Sequence, residues 1–164
     1  MDDRADDHAK ALALWQEGYR LQMAGDLDAA IEAYRRSLAV LPTAEAHTFL
    51  GWAMSFQGRL DEAIAACHDA IAVDPAFGNP YNDIGVYLMQ QDKLEEAIPW
   101  LEKAKHAPRY EPRHFPFVNL ARLYMALDMN HEALRELEDA LSLSPASDDI
   151  RTLIDRVRLQ IKES

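Results

Sequence analysis

GDLDAA at residues 25–30 is the stretch that decides the fold, because variants of it return three more times along the chain. GRLDEA occupies residues 58–63, DKLEEA occupies 92–97 and DMNHEA occupies 128–133. The closing alanines of the four stretches are 33, 34 and 36 residues apart. A period in this range is typical of stacked helical hairpins and not of a single globular core.

Other columns repeat in the same register. Twelve positions before each closing alanine there is a small residue, namely Gly18, Gly51, Gly85 and Ala121. Twelve positions after three of the alanines there is a proline, namely Pro42, Pro75 and Pro145. With these columns the chain resembles the tetratricopeptide repeat family. The resemblance implies an all-α fold, a right-handed α-solenoid of about four helical hairpins. The glycines lie inside helices, where they are costly, so we expect close packing of paired helices at these positions.

The repeat boundaries divide the chain into three parts. Residues 1–8 are acidic and are expected to fray, and residues 9–146 contain four units, namely Ala11–Thr43, Ala44–Ala76, Gly78–Glu111 and His114–Ala146. In the third unit the proline comes early, as Pro108, and Pro112 and Arg113 are extra, which predicts a lengthened or kinked connection. Residues 147–164 predict an amphipathic capping helix, because a solenoid must cover its last apolar surface.

Charge and composition narrow the functional classes. The formal net charge is −11, which disfavours nucleic acid and acidic membrane surfaces as partners. No stretch approaches the roughly 18 consecutive apolar residues of a membrane span, and MDDRADD at the start is unlike a secretory leader, so we expect a cytoplasmic protein. The single cysteine, Cys67, lies in an inward column and is expected to be a small buried side chain.

Catalytic motifs are missing from the sequence. The six histidines are scattered over different predicted helices, and the sequence contains no Cys-x-x-Cys pair and no glycine-rich phosphate loop. We therefore expect no enzyme activity, no metal site and no cofactor.

The family resemblance implies that the first helices of the units line a concave groove. A second apolar stripe on these helices indicates a further surface to bury, either a neighbouring helix or a ligand. By register, the candidate groove residues are Trp15, Tyr19, Gln22 and Met23; Thr48, Trp52, Ser55 and Phe56; Asn82, Val86, Met89 and Gln90; and Val118, Asn119, Arg122 and Met125. The alternative is that Trp52 and Phe56 pack between adjacent first helices.

Polar residues in this set bear on the class of ligand. Asn82 and Asn119 can donate and accept hydrogen bonds, which suits the backbone of an extended peptide, although either could instead cap local structure. Carboxylate-clamp members of the family bind acidic chaperone tails through Lys, Asn and Arg. Here Trp15, Tyr19 and Val86, together with Asn82, occupy the corresponding positions, so the resemblance implies a more apolar peptide or helix.

A local group of basic residues offers a different surface. Lys105, Arg109 and Arg113 lie around the irregular third connection of an otherwise acidic chain and could receive an acidic segment or a carboxylate. The alternative is an ordinary solvated face with local ion pairs.

Three functions stay open. The first is a non-catalytic scaffold that binds a partner protein in the groove. The second is a self-associating structural module, since repeat stacks can assemble end to end. The third is an accessory domain of a larger enzyme or secretion complex.

Overall fold

The computed structural model describes residues 3–164, and the predicted all-α solenoid is confirmed there. Nine α-helices are present within this range. They are α1 (Asp3–Met23), α2 (Leu27–Val40), α3 (Ala44–Phe56), α4 (Leu60–Val73), α5 (Asn79–Gln90), α6 (Leu94–His106), α7 (Phe115–Ala126), α8 (Asn130–Leu143) and α9 (Asp148–Glu163). The first eight form four consecutive hairpins, and α9 packs against α8.

The repeated motif forms the turn inside each hairpin. Its first residue is Gly25, Gly58, Asp92 or Asp128, with φ of 85°, 75°, 61° and 60° respectively. This left-handed conformation ends the preceding helix and is open to glycine and, at some cost, to aspartate. In the first hairpin the next residue, Asp26, also caps α2, because its side chain accepts a hydrogen bond from the Ala29 amide at 3.2 Å.

The helix-interior glycines allow the two helices of a hairpin to approach closely. A Cβ added at Gly18 would lie 2.5 Å from Tyr34 Cε1, and one at Gly85 would lie 2.5 Å from Leu101 Cγ. At Gly51 the added atom would lie 2.9 Å from the Ala63 carbonyl oxygen. These separations are below van der Waals contact, so the predicted reason for the glycines is confirmed.

The closing alanines form the centre of the stack. Ala30, Ala63, Ala97 and Ala133 are completely buried. Cys67 is buried beside them, and its burial raises the pKa of the thiol well above the usual value. The thiol is therefore held in its unreactive protonated form, in agreement with the sequence prediction.

The predicted lengthening of the third connection is also confirmed. The segment between α6 and α7 covers residues 107–114 and contains a cis peptide bond between Glu111 and Pro112. It pairs with the loop between α4 and α5: the Gly78 amide donates to the Arg109 carbonyl at 2.9 Å, and the Arg109 amide donates to the Ala76 carbonyl at 3.0 Å. The two loops are thereby fixed to one another.

The two ends of the described chain are helical. Residues 3–8, which the sequence predicts to fray, form the first turns of α1, where aspartates suit the helix dipole and Asp6 pairs with Lys10 at 2.9 Å. Residues 1 and 2 of that predicted segment lie outside the described residues. At the other end, Ser147 caps α9, and Ile150, Ile154 and Val157 are buried against the fourth hairpin.

None of the helices described in residues 3–164 combines the length and apolarity needed to cross a membrane.

Candidate functional site

The odd-numbered helices α1, α3, α5 and α7 contact one another in order and line one side of the stack, here called the inner face. Its front part is an aromatic row formed by Trp15, Tyr19, Phe49, Trp52 and Phe56. Ring centroids in the row are 5.1 Å apart for Trp15 and Phe49, 5.8 Å for Tyr19 and Phe49, 5.7 Å for Phe49 and Trp52, and 5.4 Å for Trp52 and Phe56. The row therefore crosses from α1 to α3.

The rings of the aromatic row differ in exposure. Trp15, Phe49 and Trp52 are half-buried, and Trp15 and Phe49 pack against the core. Tyr19 and Phe56 have exposed fractions of 42% and 60%. Phe49 therefore packs between α3 and the rings of α1, while Tyr19 and Phe56 present apolar surface to solvent. The choice between helix packing and ligand contact for Trp52 and Phe56 stays a prediction.

Two predicted groove residues are buried and have hydrogen-bond partners inside their own repeat. Gln22 accepts a hydrogen bond from the Tyr34 hydroxyl at 2.8 Å, and Thr48 donates to the Ala44 carbonyl at 2.7 Å. Their predicted role as ligand contacts stays a prediction. Thr48 also lies at the edge of the pocket described below.

The asparagines are brought together. The Asn119 amide donates to the Asn82 Oδ1 at 3.0 Å, and this bond connects α7 to α5 across the inner face. Asn82 is buried and Asn119 is half-buried. The pair joins neighbouring repeats, and its predicted contact with a peptide backbone stays untested.

The remaining predicted groove residues have mixed environments. Val86 and Met89 pack against the main core, and Val118 and Met125 pack against the core of the fourth hairpin. Met23, Gln90 and Arg122 are exposed, and the Ser55 hydroxyl donates to the Trp52 carbonyl at 2.7 Å.

A pocket of about 370 Å³ lies beside the aromatic row, and we call it the Asp83 pocket. Its lining comes from α3, α5, the α6–α7 connection and the start of α7: Thr48, Phe49, Trp52, Asn79, Asn82, Asp83, Tyr110 and Phe115. Sequence reasoning missed Asp83 and three of its aromatic neighbours. The pocket combines a carboxylate with an aromatic lining.

Asp83 is in an unfavourable environment for a carboxylate. Burial raises its pKa from 3.8 to about 7, against a smaller opposing effect of a hydrogen bond with Asn82. Among residues 3–164 no basic side chain forms an ion pair with it. The same range contains no group of three or more His, Cys, Asp or Glu side chains arranged for a metal ion.

Arg109 positions one side of the pocket. Its guanidinium donates to Glu45 at 2.8 Å and to Asp74 at 2.6 Å, and it lies 4.4 Å from the centre of the Phe77 ring. The next residue, Tyr110, packs closely on Gly78. A Cβ added at Gly78 would lie 2.7 Å from the Cβ of Tyr110. The α6–α7 connection is thus held against α5, with Tyr110 in the pocket lining.

The two other predicted docking cations also have partners within the chain. The Lys105 side chain is 10% exposed, and its ammonium lies 2.8 Å from Glu136 and 3.1 Å from Glu102. Arg113 donates to the carbonyl oxygens of Lys105 and Ala107, each at 3.1 Å. These contacts stabilise the connection, and acidic-partner docking at Lys105, Arg109 and Arg113 stays a prediction.

A second cavity, of about 390 Å³, lies at the front end of the inner face. Its lining includes Leu12, Trp15 and Leu41, and it is mainly apolar. Leu12 is largely exposed there. The apolar surface of the aromatic row therefore continues to the first turns of α1.

Comparison with known proteins identifies the repeat. Family models described as tetratricopeptide repeat match residues 16–80 and 56–112, and a further one matches residues 117–147. A curated relative, the small glutamine-rich tetratricopeptide repeat-containing protein 2 of Mycosarcoma maydis, is 34% identical over 100 residues. The match covers 60% of this chain and 28% of the relative, so the chain spans little more than a quarter of that protein.

Solved structures share the fold. A structure of pilF from Pseudomonas aeruginosa superposes with a TM-score of 0.88 at 22% identity, covering 96% of this chain and 72% of that one. The first tetratricopeptide domain of Spaghetti, bound to the HSP90 peptide SRMEEVD, superposes with a TM-score of 0.65 at 24% identity, covering 73% of this chain and 94% of that one. At these identities the likeness concerns the fold alone.

Proposed function

Because the chain belongs to the tetratricopeptide repeat family, we propose that it is a non-catalytic scaffold that binds a segment of a partner protein on its inner face. The observation that carries the proposal is the aromatic row, in which Tyr19 and Phe56 expose apolar surface that no other part of the described chain covers. Large aromatic side chains in such a position are characteristic of binding hot spots.

The surface favours a partner segment that is more apolar than an acidic chaperone tail. The Spaghetti domain binds its peptide in the same fold, which supports a peptide-binding mode here. The inner face of this chain, however, presents the aromatic row and the carboxylate of Asp83, and the formal net charge is −11. An acidic tail would be repelled by both the site and the overall field.

Site-specific photo-crosslinking tests the proposal. A photoreactive phenylalanine analogue is placed at Phe56 in one version of the chain and at Leu159 in another, and each is irradiated in a lysate of the source cells. Leu159 is the matched control, because it is an equally exposed apolar residue, 56% against 60%, on the distant helix α9. We expect a discrete adduct with another protein from position 56 that is missing from position 159.

The Phe56→Ala variant adds a second measurement. Its affinity for the identified partner should fall at least about tenfold, because a central aromatic anchor contributes more than 1.4 kcal/mol. Equal adducts from positions 56 and 159, or unchanged affinity of the variant, would contradict the proposal.

Two alternatives keep their own tests. Self-association predicts adducts between copies of this chain and a sedimentation coefficient that rises with concentration. A role as an accessory domain of a larger enzyme or secretion complex is compatible with the short share of the relative that the chain covers, and the identity of the crosslinked partner would reveal it. The cytoplasmic location stays a prediction, to be checked by cell fractionation.

A further inference from the structure

We propose that the Asp83 pocket binds a basic side chain, arginine or lysine, of the partner segment. The inference rests on the proposed function, since the pocket opens on the same inner face, and it specifies the chemistry of one residue of the ligand. The occupant is thus an apolar segment that contains a basic residue.

The first argument is that Asp83 lacks a cation. Other carboxylates near the inner face have one: Glu45 and Asp74 both lie within 2.8 Å of the Arg109 guanidinium. Asp83 has no ion pair with any residue from 3 to 164, although it lies in a pocket lined largely by rings. Asp83 is half-buried, and a charge that is partly withdrawn from water without a partner costs free energy, which an arriving cation would offset.

The second argument is the aromatic lining. Phe49, Trp52, Tyr110 and Phe115 line the pocket together with Asp83, and the faces of such rings attract ammonium and guanidinium groups. The chain uses this interaction elsewhere, since the Lys103 ammonium lies 4.5 Å from the centre of the Trp100 ring. A planar guanidinium can stack on a ring and bond a carboxylate at the same time, which favours arginine.

The third argument is that the other classes of side chain fit poorly. An acidic side chain would meet the like charge of Asp83. A purely apolar side chain would displace water from the carboxylate without replacing its hydrogen bonds. The pocket volume of about 370 Å³ leaves room for a long side chain. The raised pKa of Asp83 agrees with this account, because perturbed carboxylates in clefts are frequent at functional sites.

Short synthetic peptides test the inference directly. Each has the form acetyl-Ala-Leu-X-Leu-Ala-amide, where X is arginine, lysine, citrulline, leucine or glutamate. Citrulline has nearly the shape of arginine and no charge, so it separates cation binding from apolar burial. Binding is followed by amide and indole NMR signals of the isotope-labelled full chain at about pH 8, where Asp83 is mostly ionised.

We expect the arginine and lysine peptides to shift the Trp52 indole and Asn82 amide signals, and the arginine peptide to bind at least about tenfold more tightly than the citrulline peptide. The Asp83→Asn variant should bind both peptides alike. The control variant Asp139→Asn, which removes an exposed charge on α8, should keep the difference. This control separates the contribution of Asp83 to peptide affinity from that of the overall negative charge.

Three results would overturn the inference. They are equal binding of arginine and citrulline peptides by the unmodified chain, a difference that survives in Asp83→Asn, and no binding of the basic peptides up to millimolar concentration. The proposed function fails separately, through the crosslinking at position 56. An adduct there combined with equal peptide binding would keep the scaffold and remove the basic side chain from its ligand.

Discussion

Each odd-numbered helix has a packing face, which contacts its partner helix, and an inner face. The residues on the two faces differ in character, and α5 shows the difference most clearly. On its packing face, Gly85 lies so close to Leu101 that no side chain fits. On its inner face, one turn away or less, Asp83 is a carboxylate in an aromatic pocket with no cation among the described residues. Gly85 on the packing face allows close contact between helices, whereas Asp83 on the inner face is a residue that stability alone would not favour.

This comparison separates the residues that make the fold from those available for binding. Packing-face positions repeat from unit to unit because every hairpin has the same helix-to-helix contact. Inner-face positions differ between units, from aromatic in the first two to amide and carboxylate in the last two. The functional information therefore lies in the positions that do not repeat.

The largest expected effect comes from breaking the packing face. Gly85→Val should lower the free energy of unfolding by about 3 kcal/mol or more, because its side chain would overlap the completely buried Leu101. Urea unfolding followed by circular dichroism measures the change.

The matched control for that variant is Ala65→Val, which adds bulk at an exposed position of α4. It should cost about 0.5 kcal/mol, the difference in helix propensity. Similar losses in the two variants would mean that Gly85 is not required for close packing.

A smaller effect, of opposite sign, is expected on the inner face. Asp83 has a folded-state pKa of about 7 against an ordinary value of 3.8, so the folded chain binds its proton more tightly than the unfolded chain does. The stability associated with Asp83 is present at low pH and is lost as the pH rises through about 7. Asp83→Asn lacks this loss and should be more stable by about 2 kcal/mol at pH 8, roughly half of what the full pKa difference would give because Asp83 is only half-buried, and nearly unchanged at pH 4.

Urea midpoints of the two chains across that pH range provide the test. A variant that is less stable than the unmodified chain at pH 8 would show that the Asp83 carboxylate contributes to the fold.

The smallest effect on stability is expected for Phe56→Ala. The Phe56 ring is 60% exposed and its centroid lies 5.4 Å from that of Trp52, so its loss should change the free energy of unfolding by less than about 0.5 kcal/mol. Thermal unfolding of the variant checks this. A large loss would place Phe56 in the core and remove it from the binding surface.

Sequence reasoning found the fold because the packing face repeats. The turn positions and closing alanines come back at nearly constant spacing, and the structure explains them by left-handed turns and complete burial. The longer third connection was also visible, since Pro112 and Arg113 interrupt the spacing.

The Asp83 pocket was missed for two physical reasons. The sequence did contain one indication of the pocket, because Phe49, Asp83 and Asn119 occupy equivalent positions, each two residues before the small residue of its unit. Only Asn119 was among the predicted groove residues. The contribution of Tyr110 and Phe115 to the pocket could not be predicted from the repeat pattern. These residues belong to or adjoin the irregular connection, which has no counterpart in the other units. The same limit applies to Arg109, whose partner Glu45 is 64 residues away.

A chain of helical hairpins that touch only their neighbours can come apart from either end, one unit at a time. The Arg109 side chain changes this, because it joins the connection before the fourth hairpin to α3 in the second, and the backbone of the same residue is bonded to the loop before α5. Separation of the C-terminal hairpins from the second one therefore requires these bonds to break together. We therefore expect the stretch from α3 to α7 to open as one cooperative unit, and the first hairpin, which has only neighbour contacts, to separate from the stack more readily.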